Sequence, residues 1–286
     1  RDNLWIGSWG DIWRLDTKTG HVSHCCGMRD NAHRLYKTSS DEILLGFPLG
    51  LMRYDRVRGD FVRIPEFDGL YVTGIAETFS GDIWVSTYAN GIYRYGFSGT
   101  RELVHYGYGE SGCRHIPVDK FMCVYVDSKG GVWAGSYGEG FLLYDRESDS
   151  FRPYDTDGSL PSRIAYSMVE GLDSRMWVAT SKGIVSFAYP STDFRSYTTA
   201  DGLLDNMVEG HSAMMTADGT VYFSSNNGLI SFNPDRFFSV NRVPPLVLTD
   251  FTVNDMTVRP GKDSPLSENI DLTREIVLRH SQNSFG

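Results

Sequence analysis

The chain has 286 residues, with 27 Lys and Arg against 36 Asp and Glu, a formal net charge of −9 and 30 glycines. The acidic balance argues against a protein that binds nucleic acid through its phosphates, because no excess of cations is available to displace counterions. An aromatic content of 13% excludes a disordered chain. No apolar run approaches the length of about 18 residues that a membrane span needs, and no signal-peptide pattern opens the chain.

One phrase recurs six times along the chain. It consists of a short apolar run that ends in a small residue, a few polar residues, and a second apolar run that ends in an aromatic residue or Leu. The six phrases begin with Leu4-Trp5-Ile6-Gly7, Ile43-Leu44-Leu45-Gly46, Ile83-Trp84-Val85-Ser86, Val132-Trp133-Ala134-Gly135, Met176-Trp177-Val178-Ala179 and Val221-Tyr222-Phe223-Ser224. Their second residues are 39 to 49 positions apart, which is the spacing of β-propeller blades.

Each repeat predicts a four-stranded blade. An apolar run such as Phe121–Val126 precedes the Trp strand as the inner strand, and a short run such as 151–154 follows as the outer strand. Pro153 suits an outer position, because proline is tolerated at sheet edges. The first repeat lacks an inner strand and the sixth lacks an obvious outer strand. We therefore expect an all-β chain that is a piece of a longer repeat array, with almost no helix.

The positions that recur in the six phrases predict contacts between blades. We expect Trp5, Trp84, Trp133 and Trp177 to pack between neighbouring sheets rather than to bind a ligand. The small residues that close the Trp strands would let the sheets approach. They are Gly7, Gly46, Ser86, Gly135, Ala179 and Ser224.

The pattern changes at Pro244-Pro245. The run 246–253 alternates in period two, Asn254-Asp255 predicts a turn, and 256–258 predicts a returning strand. Further short strands are expected at 270–272 and 275–278. The sequence thus predicts a propeller over residues 1–243 and the first strands of an Ig-like β-sandwich over 244–286.

These segments carry a resemblance to a known family. The Leu-Trp-Ile-Gly-Ser phrase resembles the two-component regulator propeller repeat, and 245–254 with 265–272 resembles the start of a triple-tyrosine domain. Leu44 and Tyr222 in place of Trp, and Asp11 in place of Gly, depart from the repeat. The order is that of the extracytoplasmic sensor of hybrid two-component systems in polysaccharide-degrading gut bacteria.

The resemblance implies the function of the chain. It implies a periplasmic sensor that binds an oligosaccharide and signals through the sandwich to a cytoplasmic histidine kinase. It further implies a seven-bladed ring and a homodimer with the sandwich as a contact. Membrane attachment would come only from a downstream segment, and this chain would hold neither a cofactor nor the phosphorelay chemistry of the parent.

Loop residues supply the candidate ligand site. We predict that Trp9, Tyr88 and Tyr137 lie in loops that join the two central strands, where exposed rings suit stacking on sugars. The blade-to-blade loops add Arg114, His115, Lys120, Arg163, Asn206 and His211. In propellers these two sets of loops open on the same face, so cations and amides would converge there on an acidic or polyhydroxylated ligand. The alternative is ordinary loop packing and solvated charge.

Two motifs imitate metal sites, and we predict no metal at either. His21 and His24 are three residues apart, which places them on opposite faces of a strand. Asp155–Gly158 imitates the start of a calcium loop, but its remaining ligands are missing, so we expect a turn.

The four cysteines are too few for a disulfide scaffold. Cys25 and Cys26 are adjacent and therefore poor partners for each other. We expect free cysteines, with a disulfide of Cys113 as the alternative.

The sequence contains no recognised catalytic motif. The carboxylates predicted for inner strands, Glu77, Asp119 and Glu209, belong to three different blades, and their spacing pairs none of them for acid–base chemistry. The expected function is non-catalytic sensing. A propeller lyase or glycosidase, and a protein-interaction scaffold, are the alternatives.

Overall fold

The structure is a computed structural model that describes residues 3–96, 102–109, 114–155, 158–208, 212–236, 250–270, 272–282 and 284–285. The chain divides into two compact units, residues 1–237 and 238–286. The predicted boundary between 243 and 244 lies in the stretch 237–249, outside the described residues, so it stays a prediction.

The first unit is a β-propeller, and the described residues form six antiparallel sheets, numbered here as blades 1 to 6. Blades 1 to 3 contain β1 (Asn3–Gly7), β2 (Trp9–Asp16), β3 (Val22–Asn31), β4 (Arg34–Lys37), β5 (Ile43–Phe47), β6 (Gly50–Asp55), β7 (Asp60–Arg63), β8 (Val72–Glu77), β9 (Asp82–Thr87), β10 (Ile92–Gly96) and β11 (Leu103–Tyr106). Blade 1 is β1–β3, blade 2 is β4–β7 and blade 3 is β8–β11.

Blades 4 to 6 repeat the arrangement. They contain β12 (Phe121–Val126), β13 (Val132–Ser136), β14 (Phe141–Asp145), β15 (Ser150–Pro153), β16 (Ala165–Glu170), β17 (Arg175–Thr180), β18 (Gly183–Ala188), β19 (Arg195–Tyr197), β20 (Ala213–Met215), β21 (Val221–Ser225) and β22 (Gly228–Phe232). Blade 4 is β12–β15, blade 5 is β16–β19 and blade 6 is β20–β22. The described part of blades 1 and 6 contains three strands each, and Pro153 lies in an outer strand, as predicted.

The second strands of blades 2 to 5 are buried on both faces because each of these sheets is covered by its neighbours. All five residues of β5 and of β13 are buried. Trp133 is fully buried, and its ring centroid lies 5.5 Å from that of Phe187 in the next blade. Trp84 likewise contacts Tyr144 of blade 4 at 4.8 Å. The prediction that the blade tryptophans form the core between sheets is confirmed.

The small residues at the ends of the Trp strands allow this close packing. A Cβ placed on Gly46 would lie 2.5 Å from Cγ1 of Val72 in blade 3. A Cβ on Gly135 would lie 2.7 Å from the carbonyl oxygen of Ala165 in blade 5. At these two positions a side chain would force neighbouring sheets apart.

A polar clasp, which the sequence did not reveal, joins blades 2 and 3. The carboxylate of Glu77 at the end of β8 accepts hydrogen bonds from the backbone N–H of Ser39 (2.6 Å) and from its hydroxyl (2.8 Å). The backbone N–H of Glu77 donates to the Tyr36 hydroxyl at 3.1 Å. Blades 4 and 5 repeat the clasp at the same three distances with Glu170, Ser128 and Tyr125.

Helix in the described residues is limited to short 3₁₀ segments, among them Pro65–Phe67, Thr199–Asp201 and Pro234–Arg236. None of the helices described is long and apolar enough to cross a membrane.

The second unit contains the predicted hairpin, formed by β23 (Thr252–Val253) and β24 (Met256–Thr257). Its turn residues Asn254 and Asp255 both have positive φ, 49° and 63°. Phe251, Val253 and Leu266 form a small buried core. Strands were also expected at 270–272 and 275–278. The described residues of these two segments form no strand, because they pair with no other described strand.

Candidate functional site

Three inner strands contain a register shift at the same place. The pairing of β8, β12 and β16 with the strands beside them skips Thr73, Met122 and Tyr166 respectively. Such a bulge leaves the extra residue out of the ladder and redirects its side chain. All three side chains line one cavity.

This cavity, of about 250 Å³, lies where the inner strands begin and is called the mouth below. It is lined by His33, Tyr71, Thr73, Tyr88, Met122, Tyr137 and Tyr166. Each residue occupies one of three repeat positions. These positions are the residue just before an inner strand, the bulged residue of that strand, and the first loop residue after a Trp strand. Among the described lining residues there is no carboxylate.

The rings in the mouth contact one another. The Tyr71 hydroxyl lies 3.1 Å from Nε2 of His33, and the centroids of these two rings are 5.0 Å apart. The ring of Tyr88 follows at 5.5 Å from that of Tyr71, tilted by 35°. The result is a nearly continuous aromatic surface across blades 2 and 3.

Lys120 completes the surface toward blade 4. It directly precedes β12, and its Nζ lies 5.4 Å from the ring centroid of Tyr88 and 5.7 Å from that of Tyr137. Tyr88 and Tyr137 are 38% and 47% exposed. The convergence of the blade-to-blade loop with the loops between central strands is therefore present as predicted, and it brings together three of the nine predicted residues.

A second cation, Arg34, lies beside the mouth. Its Nε donates to the carbonyl of Thr73 at 2.7 Å, and its Nη1 donates to the Ser212 hydroxyl at 3.4 Å. Burial lowers the pKa of Arg34. No carboxylate of the described residues lies within ion-pair distance of it.

Arg163 is on the same side but is already paired. Its Nη1 lies 3.0 Å from Oε2 of Glu139, and its carbonyl accepts hydrogen bonds from Gly138 and Gly140. These contacts fasten the loop that carries Tyr137, so the geometry gives Arg163 a structural role.

Arg114 and His115 lie against the β14–β15 turn of blade 4 and do not line the mouth. Arg114 Nε is 3.5 Å from Oδ2 of Asp149, and the carbonyl of His115 accepts a hydrogen bond from the Ser150 hydroxyl. Their expected convergence with the aromatic loops is not seen.

Asp149 is the centre of a local polar network. Its carboxylate accepts hydrogen bonds of 2.6 Å from the hydroxyls of both Tyr106 and Tyr144. Partial burial raises the pKa of Asp149, but these hydroxyls and the guanidinium groups of Arg94 and Arg114 outweigh it, so the pKa lies below its usual value. Burial, followed by the hydrogen bond to Asp149, raises the pKa of Tyr106. Because Tyr106 and Arg94 belong to blade 3 and Tyr144 and Asp149 to blade 4, this network joins the outer strands of the two blades.

The remaining predicted residues lie elsewhere. The placement of Trp9 in a loop is wrong, because β2 begins at Trp9, where its backbone pairs with Asn31; the side chain is 83% exposed. Asn206 Oδ1 accepts a hydrogen bond from the Thr199 N–H at 2.7 Å, a structural loop contact. His211 lies outside the described residues.

The motifs that imitate metal sites make structural contacts. His24 Nε2 lies 2.8 Å from Oδ1 of Asp11. The carboxylate of Asp155 accepts hydrogen bonds from the backbone N–H groups of Gly158, Ser159 and Leu160, which closes a turn. No group of three or more metal-ligating side chains occurs within the part of the chain that the structure describes.

The described cysteines Cys25, Cys26 and Cys123 are free. Burial raises the pKa of the Cys26 and Cys123 thiols to about 11 each, which opposes formation of the reactive thiolate. Cys113 lies outside the described residues.

Two of the three predicted inner-strand carboxylates have structural partners. Glu77 belongs to the clasp between blades 2 and 3, and Asp119 precedes β12, where its Oδ1 accepts a hydrogen bond from the Tyr108 N–H at 2.7 Å. Glu209 lies outside the described residues.

The first unit is thus defined as a β-propeller in which loops of neighbouring blades converge on an aromatic cavity. The chain is 26% identical to histidine kinase P4 of Formosa agariphila, over 71% of this chain and 18% of that protein. It superposes with a TM-score of 0.64 and 19% identity on the extracellular domain of a hybrid two-component system of B. thetaiotaomicron, over 92% of this chain and 43% of that chain. No protein-family profile matches the chain.

The same fold occurs in an enzyme. Virginiamycin B lyase of Staphylococcus aureus superposes with a TM-score of 0.60 and 14% identity, over 81% of this chain and 80% of that chain. At these identities the superpositions show the fold alone. The predicted resemblance to the sensors of hybrid two-component systems is confirmed by the kinase relative together with the shared fold. The chain spans less than a fifth of the length of that kinase.

Proposed function

We propose that this chain is part of a periplasmic sensor of a hybrid two-component system and that its mouth binds an oligosaccharide without catalysis. The observation that carries the proposal is the joint placement of Tyr88, Tyr137 and Lys120 at one cavity. Tyrosine rings present flat apolar faces with a polar tip, which suits the alternating apolar faces and hydroxyl edges of sugars.

The proposed signal passes from the propeller to the β-sandwich and then to a cytoplasmic histidine kinase in the parent protein. A ligand shifts such a system only by binding two arrangements with different affinity. We also propose that two copies act as a homodimer through the sandwich. The similarity to histidine kinase P4 supports the kinase part of this proposal.

Calorimetry of the 286-residue chain against a panel of plant and algal oligosaccharides tests the proposal. We expect micromolar binding of at least one oligosaccharide, without turnover when the mixture is later separated by chromatography. Tyr88→Ala and Tyr137→Ala should each weaken binding by about tenfold or more, given the worth of an aromatic contact.

The chain offers a matched control for these variants. Trp9 is a highly exposed aromatic residue that does not line the mouth. Trp9→Ala should leave binding unchanged. Turnover of a bound oligosaccharide would favour the lyase or glycosidase alternative, and failure of every oligosaccharide to bind would favour a protein-interaction scaffold.

A further inference from the structure

The charges around the mouth are one-sided. Lys120 and Arg34 contribute two cations, while no described lining residue is acidic. The acidic residues nearest in sequence to Lys120 and Tyr137 have other partners. Asp119 accepts from the backbone of Tyr108, and Glu139 pairs with Arg163. Around the mouth the described residues thus present two cations and no carboxylate in the lining, in a chain whose net charge is −9.

Lys120 differs from those cations of the propeller that are paired with a carboxylate. Lys37 lies 2.7 Å from Asp41, and Arg63 lies 3.3 Å from Asp68. No carboxylate of the described residues lies within ion-pair distance of the Lys120 ammonium, which is instead positioned over two tyrosine rings. A cation over aromatic rings keeps its charge available for a further partner, because the rings are not hydrogen-bond acceptors of comparable strength.

From this arrangement we infer that the mouth selects a negatively charged oligosaccharide, with its acid group paired to Lys120 and a sugar face against the mouth tyrosines. The inference rests on the proposed function and adds the class of ligand to it. Tyrosine rings alone would suit neutral sugars equally well, so Lys120 is the feature that distinguishes the two classes. A carboxylate paired with an ammonium makes the stronger, charge-assisted kind of hydrogen bond.

The acid group of the ligand is either a carboxylate, as in a uronic acid, or a sulfate ester. Both present oxygen acceptors and a negative charge to an ammonium group. Two pairs of probes separate these sources. One pair is tetragalacturonic acid and its methyl ester, and the other is a κ-carrageenan tetrasaccharide and its desulfated form. Within each pair the sugar backbone stays the same, and the charged group is either esterified with methyl or replaced by a hydroxyl.

Calorimetry of the 286-residue chain with the four probes gives the test. We expect one acidic probe to bind at least about tenfold more tightly than its uncharged counterpart. Lys120→Met keeps the apolar stem and removes the charge, so it should weaken the acidic probe far more than the uncharged probe and thereby abolish that preference. Raising the salt concentration should weaken binding of the acidic probe only.

The control variant is Lys129→Met. Lys129 is exposed in the β12–β13 turn, at the other end of the strand that follows Lys120, so the same charge is lost away from the mouth. It should leave the preference intact.

The outcomes separate this inference from the proposed function. Equal binding of charged and uncharged probes, or equal weakening of both by Lys120→Met, would overturn the acidic ligand and leave oligosaccharide sensing in place. Failure of all four probes together with the panel of plant and algal oligosaccharides would count against both, and binding of neutral oligosaccharides alone would overturn only the acidic ligand.

Discussion

In blades 3, 4 and 5 the second or third residue of the Trp strand is always tryptophan, and it is at most 2% exposed. In the inner strands of the same blades the bulged residues are Thr73, Met122 and Tyr166, which share no chemistry. The tryptophans face another sheet, so the space they fill is repeated from blade to blade. The bulged residues line the mouth, where their size and polarity change from blade to blade, and Thr73 also donates a hydrogen bond to the carbonyl of Phe121 in blade 4. The contact surfaces between neighbouring sheets, called seams below, thus repeat from blade to blade, whereas the residues of the mouth differ.

The largest effect is expected where a seam loses its aromatic residue. Trp133→Ala should lower the free energy of unfolding by about 3–5 kcal/mol, because it removes a fully buried ring and leaves a cavity. It also removes the indole N–H that donates to Asp127 at 2.8 Å. Urea denaturation measures the change. A loss below about 1 kcal/mol would show that the seams tolerate variation as the mouth does.

The close approach of blades 4 and 5 gives the next effect. Gly135→Ala should destabilise the protein by about 1–3 kcal/mol, because the new Cβ would lie 2.7 Å from a backbone oxygen of the adjacent blade. Gly27→Ala is the control, since its Cβ would have no neighbour nearer than 3.8 Å. Equal stability of the two variants in thermal denaturation would contradict the packing argument.

The polar clasps are expected to matter less. Glu170→Ala should cost about 1–3 kcal/mol, since it leaves the Ser128 hydroxyl and N–H without their acceptor. Glu77→Ala should cost less, because the hydrogen bonds of Glu77 to Ser39 are exposed and water can replace the lost acceptor. Because the two clasps lie in different seams, the double variant should show the sum of the single effects. A double-mutant cycle in urea tests this additivity.

The smallest effect concerns the acid stability of the contact between blades 3 and 4. The pKa of Asp149 is lower in the folded protein than its usual value, so the ionised carboxylate contributes stability that is present above about pH 4 and is lost as pH falls through the folded pKa. Asp149→Asn removes this titrating carboxylate. The variant should therefore lose less stability than the unmodified chain as the pH falls from about 5 to about 2–3. Thermal denaturation at a series of pH values measures the difference. If the melting temperatures of the variant and the unmodified chain fell by the same amount with pH, this role of Asp149 would be contradicted.

Much of the mouth followed from the sequence. Tyr88, Tyr137 and Lys120 stand at fixed places in the repeat, and topology alone brings those places to one end of the blades. His33 and Tyr71 directly precede an inner strand, as Lys120 does, so their place in the repeat would have predicted them as mouth residues too. Thr73, Met122 and Tyr166 had no such signal, because a bulge is an irregularity of strand pairing.

What the sequence determined by itself is the propeller: the period of the Trp phrase, the small residues that follow it and the outer edge strands. These features depend on local alternation and on spacing, which are readable along a chain. Only the tertiary structure decided which polar residues meet. Arg163 was neutralised by Glu139, and Arg114 and His115 were drawn to the Asp149 turn, while Lys120 was placed over two rings. Such pairings depend on distances between blades, and those distances are set by packing rather than by separation in sequence.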